Sequence, residues 1–174
     1  RLRWMSLSAP AHSASLRTGG ATGRVVATRS TLLHDVVANF DRQGLPDPLI
    51  RLPALLDETV IGTQSTIHGD LNLENILVGP GGFVWLIDFA QTRDGHPLYD
   101  FAHLEAEIIA HVIAAQISAT TDYLSLLHAA FDSNSNSLLS TLHSIASRCL
   151  LNPSQPREYH LALYVACLGA LKFP

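Results

Sequence analysis

The sequence predicts a mixed α+β fold that is mainly helical, and three observations carry that reading. Short β-leaning runs are confined to the middle of the chain, at Thr66–His68, Asn75–Val78 and Phe83–Ile87. From Pro97 to the end, apolar residues recur at helical spacing. Strands and helices do not alternate, so a parallel sheet with helical crossovers is not indicated. The length of 174 residues suits one compact domain or a piece of a larger one. With 47% apolar and 15% charged residues, the composition is far from that of disordered chains. The most apolar stretches, Ile108–Ile117 and Leu161–Leu171, fall short of the ~20 residues that cross a bilayer. No membrane partner is expected.

The elements follow in chain order. Residues 1–30 contain Gly19, Gly20 and Gly23 and little periodicity, so they read as an irregular segment or linker. Arg1, Arg3, Arg17, Arg24 and Arg29 all precede the first carboxylate, Asp35. Such an acid-free start is also the composition of an organellar transit peptide, with Met5 as its initiator, but a linker or the remnant of an upstream region is preferred. The domain itself is expected over 31–174. Leu32, Leu33, Val36, Val37 and Phe40 predict a helix over Thr31–Gln43, ended by Gly44. Pro46, Pro48 and Pro53 mark a connection, followed by a short helix near Ala54–Glu58. Pro80-Gly81-Gly82 predicts the turn of a hairpin between the second and third β runs. Helices are expected at 98–117, 121–131, 137–150 and 157–172, interrupted at Asp132–Asn136 and Asn152–Pro156. Asp94, Asp122 and Asp132 fit turn or helix-capping positions.

Charge and cysteine usage narrow the partners. A formal net charge of −4 provides no basic field for a phosphate backbone, so nucleic acid is not expected. Cys149 and Cys167 stand alone on apolar stretches, with no CxxC or Cys/His knuckle. They read as small buried hydrophobes in a reducing compartment, and a cytoplasmic location is expected. His103, Glu107 and His111 share a helix face, but without a fourth ligand an ordinary polar face is preferred to a metal site. Ile108, Ile109, Val112 and Ile113 on the same helix are expected in the core.

The chemistry lies in Ile67-His68-Gly69-Asp70-Leu71-Asn72-Leu73-Glu74-Asn75-Ile76-Leu77-Val78 and in Trp85-Leu86-Ile87-Asp88-Phe89-Ala90. A hairpin turning at Gly81–Gly82 brings its outer ends together, making Asn75 and Asp88 neighbours. One carboxylate and one amide oxygen form a hard-oxygen set suited to Mg²⁺, which keeps waters and borrows phosphate oxygens. Asp70, kept off the metal, can accept a hydrogen bond from a substrate hydroxyl.

These residues resemble the protein-kinase-like fold, in particular the aminoglycoside phosphotransferases and choline kinases. His68, Asp70 and Asn75 stand in the order of the kinase catalytic loop. Asp88-Phe89-Ala90 is similar to the metal-binding Asp-Phe-Gly, and His-Gly-Asp is the form found in small-molecule phosphotransferases. Gly95-His96-Pro97-Leu98-Tyr99-Asp100-Phe101-Ala102 resembles that family's Gly-x-Pro-x-x-Asp segment. A further resemblance, through the extended His-Gly-Asp-Leu-Asn-Leu-Glu-Asn and Ile-Asp-Phe-Ala, is to the kinase-like ternary-complex-associated domains of bacterial conflict systems. The resemblance implies the C-terminal lobe of a kinase-like fold, built around a small catalytic β-hairpin. It implies that Asp70 deprotonates the acceptor and that Asn75 and Asp88 hold Mg²⁺ between the phosphates of ATP or another nucleoside triphosphate. Leu77 and Ile87 would floor the adenine, His68 would brace the loop against Phe89, and Asp100 would hydrogen-bond the loop backbone.

The same resemblance exposes what is missing. Kinase-like transfer also needs a glycine-rich phosphate loop and a lysine that pairs with the α/β-phosphates. The single lysine is Lys172, which chain order excludes, and no suitable strand follows the glycines of Thr18–Gly23. The expectation is therefore a lobe whose N-lobe or partner domain lies outside this chain. Two function classes stay open. One is an enzyme phosphorylating a hydroxyl of a small molecule, inactive as this isolated chain. The other is a non-catalytic kinase-like module that binds nucleotide or protein inside a multidomain signalling or defence protein.

Overall fold

In the computed structural model, which describes residues 37–38, 44, 46–56, 61–130, 137–154 and 156–171, the chain is mixed α+β and mostly helical. The expectations for residues 1–30 and for most of the helix at 31–43 lie outside the described residues. Val37 and Ala38 are helical, with Val37 buried. A short helix α1 spans Leu52–Leu56, slightly ahead of its expected place, with Pro53 in its first turn where a missing N–H costs nothing.

Two antiparallel ribbons make up the β part. Strands β1 (Ser65–Ile67), β2 (Ile76–Val78), β3 (Val84–Leu86) and β4 (Arg93–Gly95) pair as β1 with β4 and β2 with β3. In the β2–β3 hairpin Leu77 lies opposite Trp85. The connection through Pro80–Gly82 places Gly81 at φ 78° and Gly82 at φ 79°, conformations open to glycine without steric penalty. In the outer ribbon Ile67 lies opposite Arg93. Strand β4 was not expected, because Arg93-Asp94-Gly95 has the composition of a turn. It is held by pairing, and by the Thr66 hydroxyl, which donates to Asp94 Oδ1 at 3.4 Å. Asp94 is thus a strand residue.

The helical half begins with α2 (Leu98–Ile108), which continues as a π turn at Ile109–Ile113 and a 3₁₀ turn at Ala114–Gln116. The sequence predicts this stretch as one uniform helix. The π turn's i→i+5 pairing rotates the following residues relative to an α-helix. Ile108 and Ile109 are buried as expected, whereas Val112 is 38% exposed. Helices α3 (Thr120–Ala130), α4 (Leu138–Ala146) and α5 (Arg157–Ala170) complete the chain. Ser137 caps α4 by accepting the Ser140 N–H at 3.1 Å.

Helix α2 packs chiefly on α5. Leu98, fully buried, joins Ala146 and Tyr159, and Ile108 and Ile109 join Leu139 and Leu142. A third cluster sets Val37, Leu49 and Leu52 against Leu168 of α5, where the Tyr164 hydroxyl donates to the Pro48 carbonyl. Inside this apolar packing sits a polar node. The Glu105 carboxylate, with no exposed surface, accepts from the Tyr159 hydroxyl and from His143 Nε2, 2.8 Å from each oxygen. It ties α2, α4 and α5 together. Burial, reinforced by Glu105, pushes the Tyr159 hydroxyl above the usual phenol range and the Cys167 thiol up to about 11. Cys149 and Cys167 are free thiols, each partly rather than fully buried.

Candidate functional site

The site is the loop between the ribbons. It starts at His68 and Gly69, directly after β1, and both backbone N–H groups donate to Asp100: His68 to Oδ2 at 2.7 Å and Gly69 to Oδ1 at 2.9 Å. Asp100 lies in the first turn of α2, where a carboxylate is favoured by the helix dipole. The buried His68 ring stands 4.9 Å from Phe89, and its Nε2 is 2.8 Å from the Ile87 carbonyl. A carbonyl only accepts, so Nε2 carries the proton. Loop and hairpin are thereby fastened through one imidazole.

Gly69 is required twice over. Its φ is +84°, and an added Cβ would lie 2.2 Å from the Gln91 carbonyl oxygen and 2.4 Å from Arg93 Nη1. The absence of a side chain before Asp70 is therefore a consequence of how closely β4 and its approach pass the loop.

Beyond Asp70 the chain makes a 3₁₀ turn at Leu73–Asn75, capped by Asn72, whose Oδ1 accepts the N–H groups of Glu74 and Asn75, both at 3.0 Å. Asn75 is buried, and its Nδ2 donates to the Asp70 carbonyl at 2.9 Å. With its amino end committed, Asn75 keeps Oδ1 as an acceptor that no described residue engages. The Asn75 carbonyl in turn accepts the Ile87 N–H at 3.1 Å, extending the hairpin ladder to the residue before Asp88. Sequence-predicted Asp70, Asn75 and Asp88 are thus brought to one end of the β2–β3 hairpin.

Asp88 has φ 60° and ψ 64°, and it is the non-glycine residue at positive φ among the described residues. Aspartate tolerates this left-handed conformation better than most residues, at a cost of about 1–3 kcal/mol. Its side chain is exposed and does not cap the turn that follows. Leu77 and Ile87 are also exposed, beside Trp85.

Behind the loop, His96 locks the ribbon to the helices. Its Nδ1 accepts the Leu98 N–H at 3.2 Å, so Nε2 is the protonated nitrogen and donates to Glu158 Oε2 at 2.9 Å. Glu158 Oε1 accepts the Leu151 N–H at 3.0 Å. Sequence reasoning missed Asn72, Arg93 and the His96–Glu158 pair. Only Asn72 carried a local signal, since an asparagine preceding a short turn commonly caps it. On the polar face considered for a metal, Glu107 meets His111 at 3.6 Å; no group of three His, Cys, Asp or Glu that could hold a metal occurs among the described residues.

A family model, that of ternary complex associated domain 9, matches residues 5–158. The chain belongs to that family. Its ternary complex associated domain takes in both ribbons, the loop between them and helices α2 to α4, and ends at Glu158, the partner of His96. No curated protein and no solved structure matches the chain. Among the described residues no helix is long and apolar enough to cross a membrane.

Proposed function

We propose that this domain is a kinase-like phosphotransferase lobe, which moves a phosphoryl group from Mg²⁺–ATP, or another nucleoside triphosphate, to a hydroxyl of a small molecule. The observation that carries this reading is the bond from Asn75 Nδ2 to the Asp70 carbonyl, which joins the proposed base and a proposed metal ligand in one rigid turn. The donor set fits Mg²⁺: the Asn75 amide oxygen and the Asp88 carboxylate are hard oxygens. Because no all-protein cage accompanies them among the described residues, they suit an ion that brings waters and phosphate oxygens of its own. When bound, the metal–nucleotide supplies the phosphoryl group and neutralises charge on it. Asp70 orients the acceptor hydroxyl and takes its proton. His68, Phe89 and Asp100 hold the loop in place, and Leu77 and Ile87 offer apolar surface to the base.

A second lobe is part of the proposal. The hairpin exposes Val78, Phe83, Val84 and Trp85, each more than half accessible, as a surface on which a nucleotide-covering lobe can pack. One observation favours the second reading, a non-catalytic nucleotide- or protein-binding module of a multidomain signalling or defence protein: Lys172 is the single lysine and cannot pair with the phosphates by chain order.

Calorimetric titration of the chain with ATP, with and without Mg²⁺, tests the site. Binding should require Mg²⁺, be lost in Asp88→Asn and survive in Asp70→Ala. Binding indifferent to both Mg²⁺ and Asp88→Asn would refute the assignment. The 174-residue chain alone should show little or no phosphotransfer, and brisk turnover by it would remove the need for a second lobe.

A further inference from the structure

Arg93 is held in place by two contacts, and a third observation sets it against Gly69. Its Nη1 donates to the Gln91 carbonyl at 2.9 Å, and its guanidinium carbon lies 5.2 Å from the centroid of the Tyr99 ring. The same Nη1 fills the space that a side chain at Gly69 would need. Asp70 is the next residue, about 3.8 Å away from Cα to Cα. A guanidinium has five N–H donors, and the Gln91 carbonyl uses one of them. The side chain is exposed, and no carboxylate among the described residues pairs with it. Asp100 accepts from the His68 and Gly69 N–H groups and Asp94 from Thr66, while the Asp70 carboxylate is kept for the acceptor hydroxyl. An immobilised guanidinium with free donors matches phosphate or carboxylate oxygens in a bidentate manner.

We propose that Arg93 forms an oxyanion subsite beside Asp70, so that the hydroxyl compound phosphorylated here carries a phosphate or carboxylate group of its own. The acceptor assignment rests on the phosphotransferase reading; the oxyanion subsite rests on the placement of Arg93 alone. The test is an NMR titration of the ¹⁵N-labelled chain in EDTA, without nucleotide. Inorganic phosphate and acetate serve as probes, and sodium chloride at matched ionic strength as the control.

Phosphate should move the Arg93 Nε–H and Gly69 N–H signals in a saturable way. Arg93→Gln should weaken this by about tenfold or more, as loss of a charged hydrogen-bonding partner does, and Arg93→Lys by less. A response to phosphate and not acetate assigns a phosphorylated acceptor; a response to both extends the site to carboxylates. A phosphate response no larger than that to chloride, or one that survives in Arg93→Gln, overturns the proposal. Since neither Mg²⁺ nor nucleotide is present, failure here leaves the roles of Asn75 and Asp88 standing, and their failure leaves this result standing.

Discussion

The two halves of the molecule are held together by different means. The helical half hides its contacts: Leu98 and Glu105 have no exposed surface, and the apolar residues gather in three clusters. The ribbon half hides little. Both faces of its hairpin are open to solvent, and its loop is positioned by side chains bonded to backbone, through Asp100, His68, Asn72 and Asn75. Apolar burial supplies stability without requiring one geometry, whereas directed hydrogen bonds supply geometry and only modest net stability. The division predicts that changes in the loop alter chemistry while leaving melting nearly unchanged, and that changes among the helices do the opposite.

Asp70→Ala gives the sharpest contrast. On the proposed phosphotransferase reading, with a nucleotide-covering lobe in place, it should lower turnover by about 10²–10⁴-fold, the range for loss of a positioned base. Circular dichroism should show its melting unchanged, and a large fall in Tm would place Asp70 in the framework. Next in size, Glu105→Ala leaves His143 and Tyr159 without their buried acceptor. Breaking such a set costs about 3–5 kcal/mol, measurable by urea titration. A loss below 1 kcal/mol would mean that the node is not a cornerstone of the helical half.

Alkaline pH probes the same half more gently. Cys167 rises from 9.0 to about 11 through burial and then Glu105, and Tyr123 rises from 10.0 to about 12 through burial, then Cys167 and Glu105. Both groups are neutral in the fold and ionise more readily once unfolded. Their contribution is complete below pH 9 and is lost as pH climbs to about 11 for Cys167 and about 12 for Tyr123. The buried Cys167 steepens the decline by about 1.4 kcal/mol per pH unit, and the more exposed Tyr123 by less because solvent screens it. Cys167→Ala should flatten the section between pH 9 and about 11, and an unchanged curve would rule the thiol out as its source. Smallest of all, Asn72→Ala removes a cap worth about 1 kcal/mol. Its larger consequence should be weaker Mg²⁺-dependent nucleotide binding, through a displaced Asn75.

What the sequence made legible follows from how locally each feature is encoded. The β2–β3 hairpin was readable because Pro80-Gly81-Gly82 states its turn, and the helices after Pro97 were readable from their periodicity. Strand β4 was not, because three turn-like residues become a strand only when β1 arrives beside them. The π turn at Ile109–Ile113 leaves no mark in side-chain spacing, so the exposure of Val112 was missed. The meeting of Asp70, Asn75 and Asp88 at one end of the hairpin was legible from their order and spacing. Arg93 escaped notice because its meaning lies in contact with Gly69, far away along the chain. Glu105 looked like any acid on a helix until its surroundings were known.

The β1–β4 ribbon has a consequence for motion. Ile67 and Arg93 face each other across it, so residues 68–92 leave and rejoin the body of the protein at one point. Such a segment can open as a unit when its short ribbon unzips, in the manner of a cooperative subglobal opening. The amide hydrogens of Gly69, Asn75 and Ile87 should then exchange with solvent at one common rate, well ahead of those in α2 and α5. The site would behave as a single hinged flap, latched by β4, by the Asp100 carboxylate and by Leu73 against the helical core.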